Sequence, residues 1–234
     1  MTKVCFFTKY PPIEGGISSR SYWLARALGE KGVEVHIITD ALEETLYREK
    51  IDFEDADDLA DFQPPNVYVH SLDEIHPFSL SERKVLVAKQ SSDWRLASLG
   101  IEIIKRHQFD LIDSFYFLPY GVSGYLAKRI TGQPLILRNS GSDMAAVSSY
   151  ESFRLIFQEI FNRADIIATQ PARAFFFNEL KIPPEKLFFG FSSGVDARYF
   201  NPQVPAMDLN KYGLKIDPDL PIITYIGKIG RSKG

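Results

Sequence analysis

The stretch from Val4 to Asp40, VCFFTKYPPIEGGISSRSYWLARALGEKGVEVHIITD, constrains the fold more than any other part of the chain. It reads as strand, glycine turn, helix, strand. Val4–Thr8 is a short apolar run that Pro11, Pro12, Gly15 and Gly16 break. Tyr22, Leu24, Ala25 and Leu28 then recur at helical spacing, and Gly32 stops the helix before a second apolar run, Val33–Thr39. Two parallel strands need such a crossover, because the return connection must run the length of the sheet. The order predicts an α/β fold with a mostly parallel sheet.

The glycine turn has two readings. Glycines carry no Cβ, so a ligand can approach their backbone closely, and the helix that follows begins with unpaired N–H groups at its positive dipole end. That combination suits a phosphate or carboxylate. The other reading is that the turn only packs a helix against a sheet. The spacing is neither G-x-G-x-x-G nor G-x-x-x-x-G-K-[ST], which argues against a nicotinamide-dependent oxidoreductase and a P-loop.

With 234 residues, 45% of them hydrophobic and 24% charged, the chain has enough apolar mass for a core without disulfides or a structural metal. The net charge of −3 argues against a broad nucleic-acid surface. Cys5, the single cysteine, is expected as a buried small hydrophobe in the first strand. No apolar run reaches the ~20 residues of a membrane span, and no signal peptide precedes the first strand. The expectation is a cytoplasmic protein, with peripheral contact at the inner membrane surface left open.

After Asp40 the character changes. Asp52, Glu54, Asp55, Asp57, Asp58 and Asp61 crowd together without EF-hand spacing, so a solvated loop or short helix is expected rather than a metal site. Val67–Leu72 alternates as a strand. Ser79–Glu82 resembles a helix cap, and the helical pattern behind it runs to about His107, carrying Lys84, Lys89, Arg95, Lys105 and Arg106. This is an ordinary surface helix or one that touches anionic lipid.

A second βαβ-like run follows, with strands at Phe109–Phe115 and Pro134–Leu137 around a helix at Gly121–Ile130. Asn139, Ser140, Gly141, Ser142 and Asp143 come directly after that strand. Ligands of open parallel sheets bind outside the carboxyl ends of strands, so Asn139, Ser140 and Asp143 are acceptor-side site candidates; Asp143 alternatively caps the next helix. Helical patterns at Phe153–Phe161 and Pro171–Leu180 alternate with strands at Ala164–Ala168 and Leu187–Phe191, and Phe175, Phe176 and Phe177 are expected in the core. Residues 204–219 read as a linker after a first domain of residues 1–203. Pro221–Gly227 begins a fresh strand, with a glycine- and lysine-rich turn to Gly234. A βαβ unit needs about 30 residues, so residues 220–234 are expected to be the first strand and turn of a second, truncated domain.

With both ends read, the chain resembles glycosyltransferase family four, retaining sugar transferases of the GT-B fold. The likeness rests on motifs in the family's order: Pro11-Pro12-x-x-Gly15-Gly16; Phe109-Asp110-Leu111-Ile112-Asp113; Ser140-Gly141-Ser142-Asp143; Ala164-Asp165-Ile166-Ile167-Ala168; Gly194-Val195-Asp196-x-x-x-Phe200-x-Pro202; and Gly227-Lys228 with Lys233-Gly234. The resemblance implies a Rossmann-like N-terminal domain with helices on both sheet faces. That domain holds a sugar or lipid-linked acceptor, and the C-terminal domain holds a nucleotide-diphosphate sugar. It further implies that Gly15 and Gly16 approach the donor diphosphate while Lys228 and Lys233 neutralise it without a metal or other cofactor. No catalytic base or nucleophile is assigned.

Three positions depart from the family pattern. Ser140 replaces a histidine, so no general-base role transfers. Lys228 replaces an arginine and loses its bidentate fork. Ser193 replaces an asparagine. The family's E-x7-E segment would lie beyond Gly234, so a chain ending there is expected to be inactive alone. The alternative is a non-catalytic Rossmann-type binding or interaction domain.

Overall fold

The computed structural model describes residues 1–13, 15–40, 63–72, 92–139, 151–190, 197, 200–205, 211 and 213. Strand β1 (Lys3–Phe7) lies near the middle of the sheet, and its uninterrupted apolar sequence has a simple cause. Cys5 and Phe7 point into one core while Phe6 points into a second core on the opposite face. A strand covered on both faces cannot alternate apolar with polar residues. The Cys5 thiol is buried, and burial pushes its pKa up, so it packs as a small hydrophobe.

Helix α1 (Gly16–Glu30) returns the chain to β2 (Glu34–Thr39), and β3 (Val67–Ser71) pairs beyond it. Helix α2 (Ser92–His107) crosses back to β4 (Leu111–Phe115) on the other side of β1. A single π turn, Phe117–Gly121, then leads into α3 (Val122–Thr131) and β5 (Leu135–Arg138). The series continues through α4 (Arg154–Arg163), β6 (Ile166–Ala168), α5 (Ala174–Glu179) and the two-residue β7 (Leu187–Phe188). The seven strands lie in the order β3-β2-β1-β4-β5-β6-β7, and every pairing is parallel. Chain progression therefore reverses between β1 and β4.

The larger core packs α2, α3, α4 and α5 on one face, through Leu96, Leu99, Ala127, Phe161 and Phe177 among others. The smaller core packs α1 on the other face through Tyr22 and Ala25. Helices thus cover both faces, as the sequence predicts. The phenylalanine cluster is divided, however: Phe177 is buried, Phe176 packs against the core, and Phe175 is 52% exposed. Three successive residues on a helix span 200° of its circumference, so they cannot all face one core. The acidic stretch at 43–61, the start of the helix at 79–82, the lysines at 84 and 89, and the strand at 221–227 lie outside the described residues.

The chain divides into two compact units, Met1–Val195 and Asp196–Gly234. Within the second, Asn201 holds a turn by donating from Nδ2 to the Ala197 carbonyl at 2.7 Å and accepting the Gln203 N–H at 2.8 Å.

Candidate functional site

The carboxyl edge of the sheet carries Gly15 and Tyr116 at positive φ together with several buried polar side chains. Gly15 is the N-cap of α1, with φ 140° and no side chain to cap the helix. The first turn also lacks an acidic residue. The first intrahelical bond runs from Ser19 N to the Gly15 carbonyl, so the N–H groups of Gly16, Ile17 and Ser18 come before the ladder begins. Among the described residues, a Cβ built on Gly15 or Gly16 would meet nothing within 4 Å. These glycines are therefore not needed for close packing. Gly100 and Gly124 are: a Cβ on the first would strike the Phe7 ring, and on the second the Ser114 hydroxyl. Close packing against the described residues does not account for the pair, although the positive φ of Gly15 is by itself a reason for glycine there.

Polar groups gather around this turn and at the strand ends. Ser18 is 2% exposed, and among the described residues its hydroxyl has no hydrogen-bond partner. The same holds for the buried hydroxyls of Tyr10, Thr39 and Ser71, which follow or end β1, β2 and β3. Unsatisfied buried hydroxyls are costly unless something completes them. Thr8 and Ser21 share a hydrogen bond of 2.5 Å that ties the end of β1 to α1. Lys9 is 3% exposed, with Nζ 5.5 Å from the centroid of the Tyr116 ring. Tyr116 follows β4 with φ 84°, a conformation that is strained for a bulky side chain. Lys9 and Tyr116 come from the two strands at which chain progression reverses, where ligands of open α/β sheets bind.

On β4 and β5, buried Asp113 and partly buried Arg138 form a bidentate pair. Nε donates at 2.7 and 2.8 Å to the two carboxylate oxygens, and Nη2 donates at 2.6 Å to Oδ2. Burial alone would lower the Arg138 pKa, but the Asp113 carboxylate outweighs it and the net shift is upward. Next to this pair, Asn139 is buried and internally committed. Its Oδ1 accepts from Thr169 Oγ1 at 3.2 Å and Arg173 Nη1 at 3.4 Å, and its Nδ2 donates to the Ala168 carbonyl at 3.4 Å.

A family model described as a glycosyl transferase 4-like domain matches residues 15–187. The chain belongs to this family. N-acetyl-alpha-D-glucosaminyl L-malate synthase of Bacillus anthracis is 24% identical over 162 residues, which is 68% of this chain and 37% of that protein. Among solved structures, Anabaena HepE in complex with UDP-glucose superposes with a TM-score of 0.51 at 16% identity, covering 86% of this chain and 47% of that one. The S. aureus MnaA–UDP co-structure gives 0.54 at 14% identity, covering 91% and 50%. This glycosyl transferase 4-like chain thus spans about half the length of those structures, as the Rossmann-like N-terminal domain of a GT-B fold.

Within this glycosyl transferase 4-like domain the aspartates of the sequence motifs do structural work. Asp110 accepts the Lys3 N–H at 2.9 Å and fixes the start of β1 against β4. Asp165 accepts from Lys128 Nζ at 2.6 Å and from the Leu135 N–H at 2.7 Å, so it holds α3 to the start of β5. Burial pushes its pKa up, but these two donors more than offset that and hold it below the usual value. Of the proposed site residues, Gly15 and Gly16 open α1 and Asn139 follows β5, all on the carboxyl edge. Ser140, Asp143, Lys228 and Lys233 lie outside the described residues. Sequence reading missed Lys9, Tyr116 and the Asp113–Arg138 pair. Only the position of Lys9, directly after an apolar strand and before a proline-glycine turn, offered a signal.

The amino edge of the sheet carries a separate cluster. One ligand atom each from Glu34, His36 and His107 lies within 4.8 Å of the others. Burial holds the His36 pKa below its ordinary value and lowers that of His70 to about 4. No helix among the described residues is long and apolar enough to cross a membrane.

Proposed function

We propose that this chain is the acceptor-side domain of a glycosyltransferase that takes a sugar from a nucleotide-diphosphate donor with retention of configuration. The observation that carries the reading is the open, uncapped start of α1 behind Gly15 and Gly16, at the reversal of chain progression. Three N–H groups precede the helical ladder at its positive dipole end, and a leaving diphosphate supplies the negative charge they complement. Buried Lys9 adds a cation on the same edge. Lys228 and Lys233 are the proposed cationic partners from the second domain, acting without a metal. The acceptor is a sugar or a lipid-linked sugar, met on the side of Ser140 and Asp143. Asn139, whose amide is committed to Thr169, Arg173 and the Ala168 carbonyl, positions that loop rather than touching the acceptor.

The Anabaena and S. aureus proteins were solved with UDP-glucose and UDP, so uridine donors are the first to try. The test is a donor screen on the full-length gene product, reading nucleotide release with and without acceptors and the anomeric configuration of the product by NMR. Expected is acceptor-dependent release with the donor's configuration kept. Gly16→Trp, which fills the open approach, should cut turnover about 100-fold or more, the scale of losing oxyanion-type stabilisation. Undiminished transfer by Gly16→Trp combined with Lys233→Ala would remove the site assignment.

A further inference from the structure

We propose that Glu34, His36 and His107 form a zinc-binding site at the amino edge of the sheet. The site is distinct from the sugar-transfer site, because α1 and the polar strand ends lie on the carboxyl edge and these residues do not. Glu34 opens β2, His36 is the third residue of the same strand, and His107 closes α2 just before β4. Residues two apart on a strand share a face, so the sheet itself aims Glu34 and His36 together. The helix end brings in His107 from 71 positions away, which is why no ligand spacing shows in the sequence. Three of the chain's four histidines converge here, since His70 of β3 joins His36.

The geometry suits the ion. Tetrahedral zinc with nitrogen and oxygen ligands at about 2.0–2.1 Å sets those atoms about 3.4 Å apart. His36 Nε2 and Glu34 Oε1 are already 3.1 Å apart, and the whole ligand set falls within 4.8 Å. Closing the remainder asks for side-chain adjustments of about 1 Å. The imidazoles of His36 and His107 lie side by side, with centroids 4.8 Å apart and rings inclined at 50°. His36 is 4% exposed and held from behind: its Nδ1 lies 2.9 Å from His70 Nε2. In the zinc-bound form the Nδ1–H donates to His70, and the Nε2 lone pair takes the metal. This is the outer support that metal-binding histidines need. The tilted ring of Tyr68 and the ring of Phe109, in an edge arrangement, pack on His36 and restrict its rotation.

Two imidazoles and a carboxylate favour zinc over magnesium or calcium, which prefer all-oxygen sets. Water takes the fourth position. Lys3 already pairs with Glu34 Oε1 at 2.9 Å, so zinc competes with an ammonium and Lys3 must swing to solvent. Zinc there ties the start of β2 to the α2–β4 junction.

The experiment is calorimetric titration of the metal-free chain with Zn²⁺ alone, paired with ¹⁵N spectra of the histidine rings. Expected is one equivalent bound, with ring shifts at His36 and His107. Glu34→Gln and His107→Gln should each weaken binding at least tenfold, and His70→Gln should weaken it about 10- to 100-fold through lost support. Absence of binding overturns the site. So does binding that survives either Glu34→Gln or His107→Gln. The ring spectra use the unsubstituted chain, so a variant that fails to fold does not blunt the test.

Discussion

Arg138 shows what one residue costs and returns at this sheet. Its guanidinium is largely covered on β5, and the Asp113 carboxylate on the neighbouring strand receives it in a bidentate fork. Such a pair is a weak source of net stability, since desolvation offsets most of the attraction, but it is expensive to break from one side. Asp113→Ala leaves a buried cation without its carboxylate and should destabilise the domain by about 3–5 kcal/mol in urea unfolding. Asp113→Leu combined with Arg138→Met should cost much less than the single change, because no charge stays buried. A double variant as unstable as Asp113→Ala would mean that the pair is not the reason for the loss. Neither residue was legible beforehand. Asp113 sits in a strand motif and Arg138 ends another strand, and only the register between β4 and β5 joins them.

At the scale of elements, small residues set how closely helices approach the sheet. Gly124 on α3 lies where a Cβ would come 2.0 Å from the Ser114 hydroxyl on β4. Gly124→Ala gains about 1 kcal/mol of helix propensity, yet the overpacking costs about 1–3 kcal/mol, so the net change should be destabilising. Ser114→Ala should recover most of the loss in the double variant, because it removes the atom in conflict; additive costs would contradict the contact. Asp165 joins α3 to β5 by charge instead. Its pKa is lowered in the folded state, so its contribution is present above about pH 4 and is lost as the pH falls through the depressed value. The urea midpoints of wild type and Asp165→Asn should differ at neutral pH and converge towards about pH 3. A gap that persists at low pH would assign the effect to shape rather than charge. These elements were largely readable, because buried parallel strands leave apolar runs and helices leave a 3.6-residue period. Their contacts were not. Nothing local to Gly124 names Ser114, and nothing near His36 names His107.

Across the whole molecule the sheet's two edges are treated differently. At the amino edge Asp110, Asp165 and Glu34 pair with backbone N–H groups or lysines, so polar groups there are satisfied. The carboxyl edge leaves α1 uncapped, keeps the Ser18, Thr39 and Ser71 hydroxyls unmet among the described residues, and bends Tyr116 to a positive φ. Natural chains break local rules where function needs it and recover stability elsewhere. The glycine turn was readable as a break in the apolar pattern, whereas its openness needed the coordinates. This division yields a prediction in which stability and activity move in opposite directions. Gly16 is helical and exposed, and among the described residues nothing stands where its side chain would go. Gly16→Asp replaces a poor helix former and puts a carboxylate in an uncapped first turn, each change worth about 0.3–1 kcal/mol of stability. The same carboxylate occupies the place proposed for the donor diphosphate and repels it. Thermal melting should therefore rise by a few degrees while nucleotide-sugar turnover by the full-length protein falls at least tenfold. If the turn were only structural, Gly16→Asp would raise melting and leave turnover alone, and a paired assay of the two quantities on one variant separates these cases.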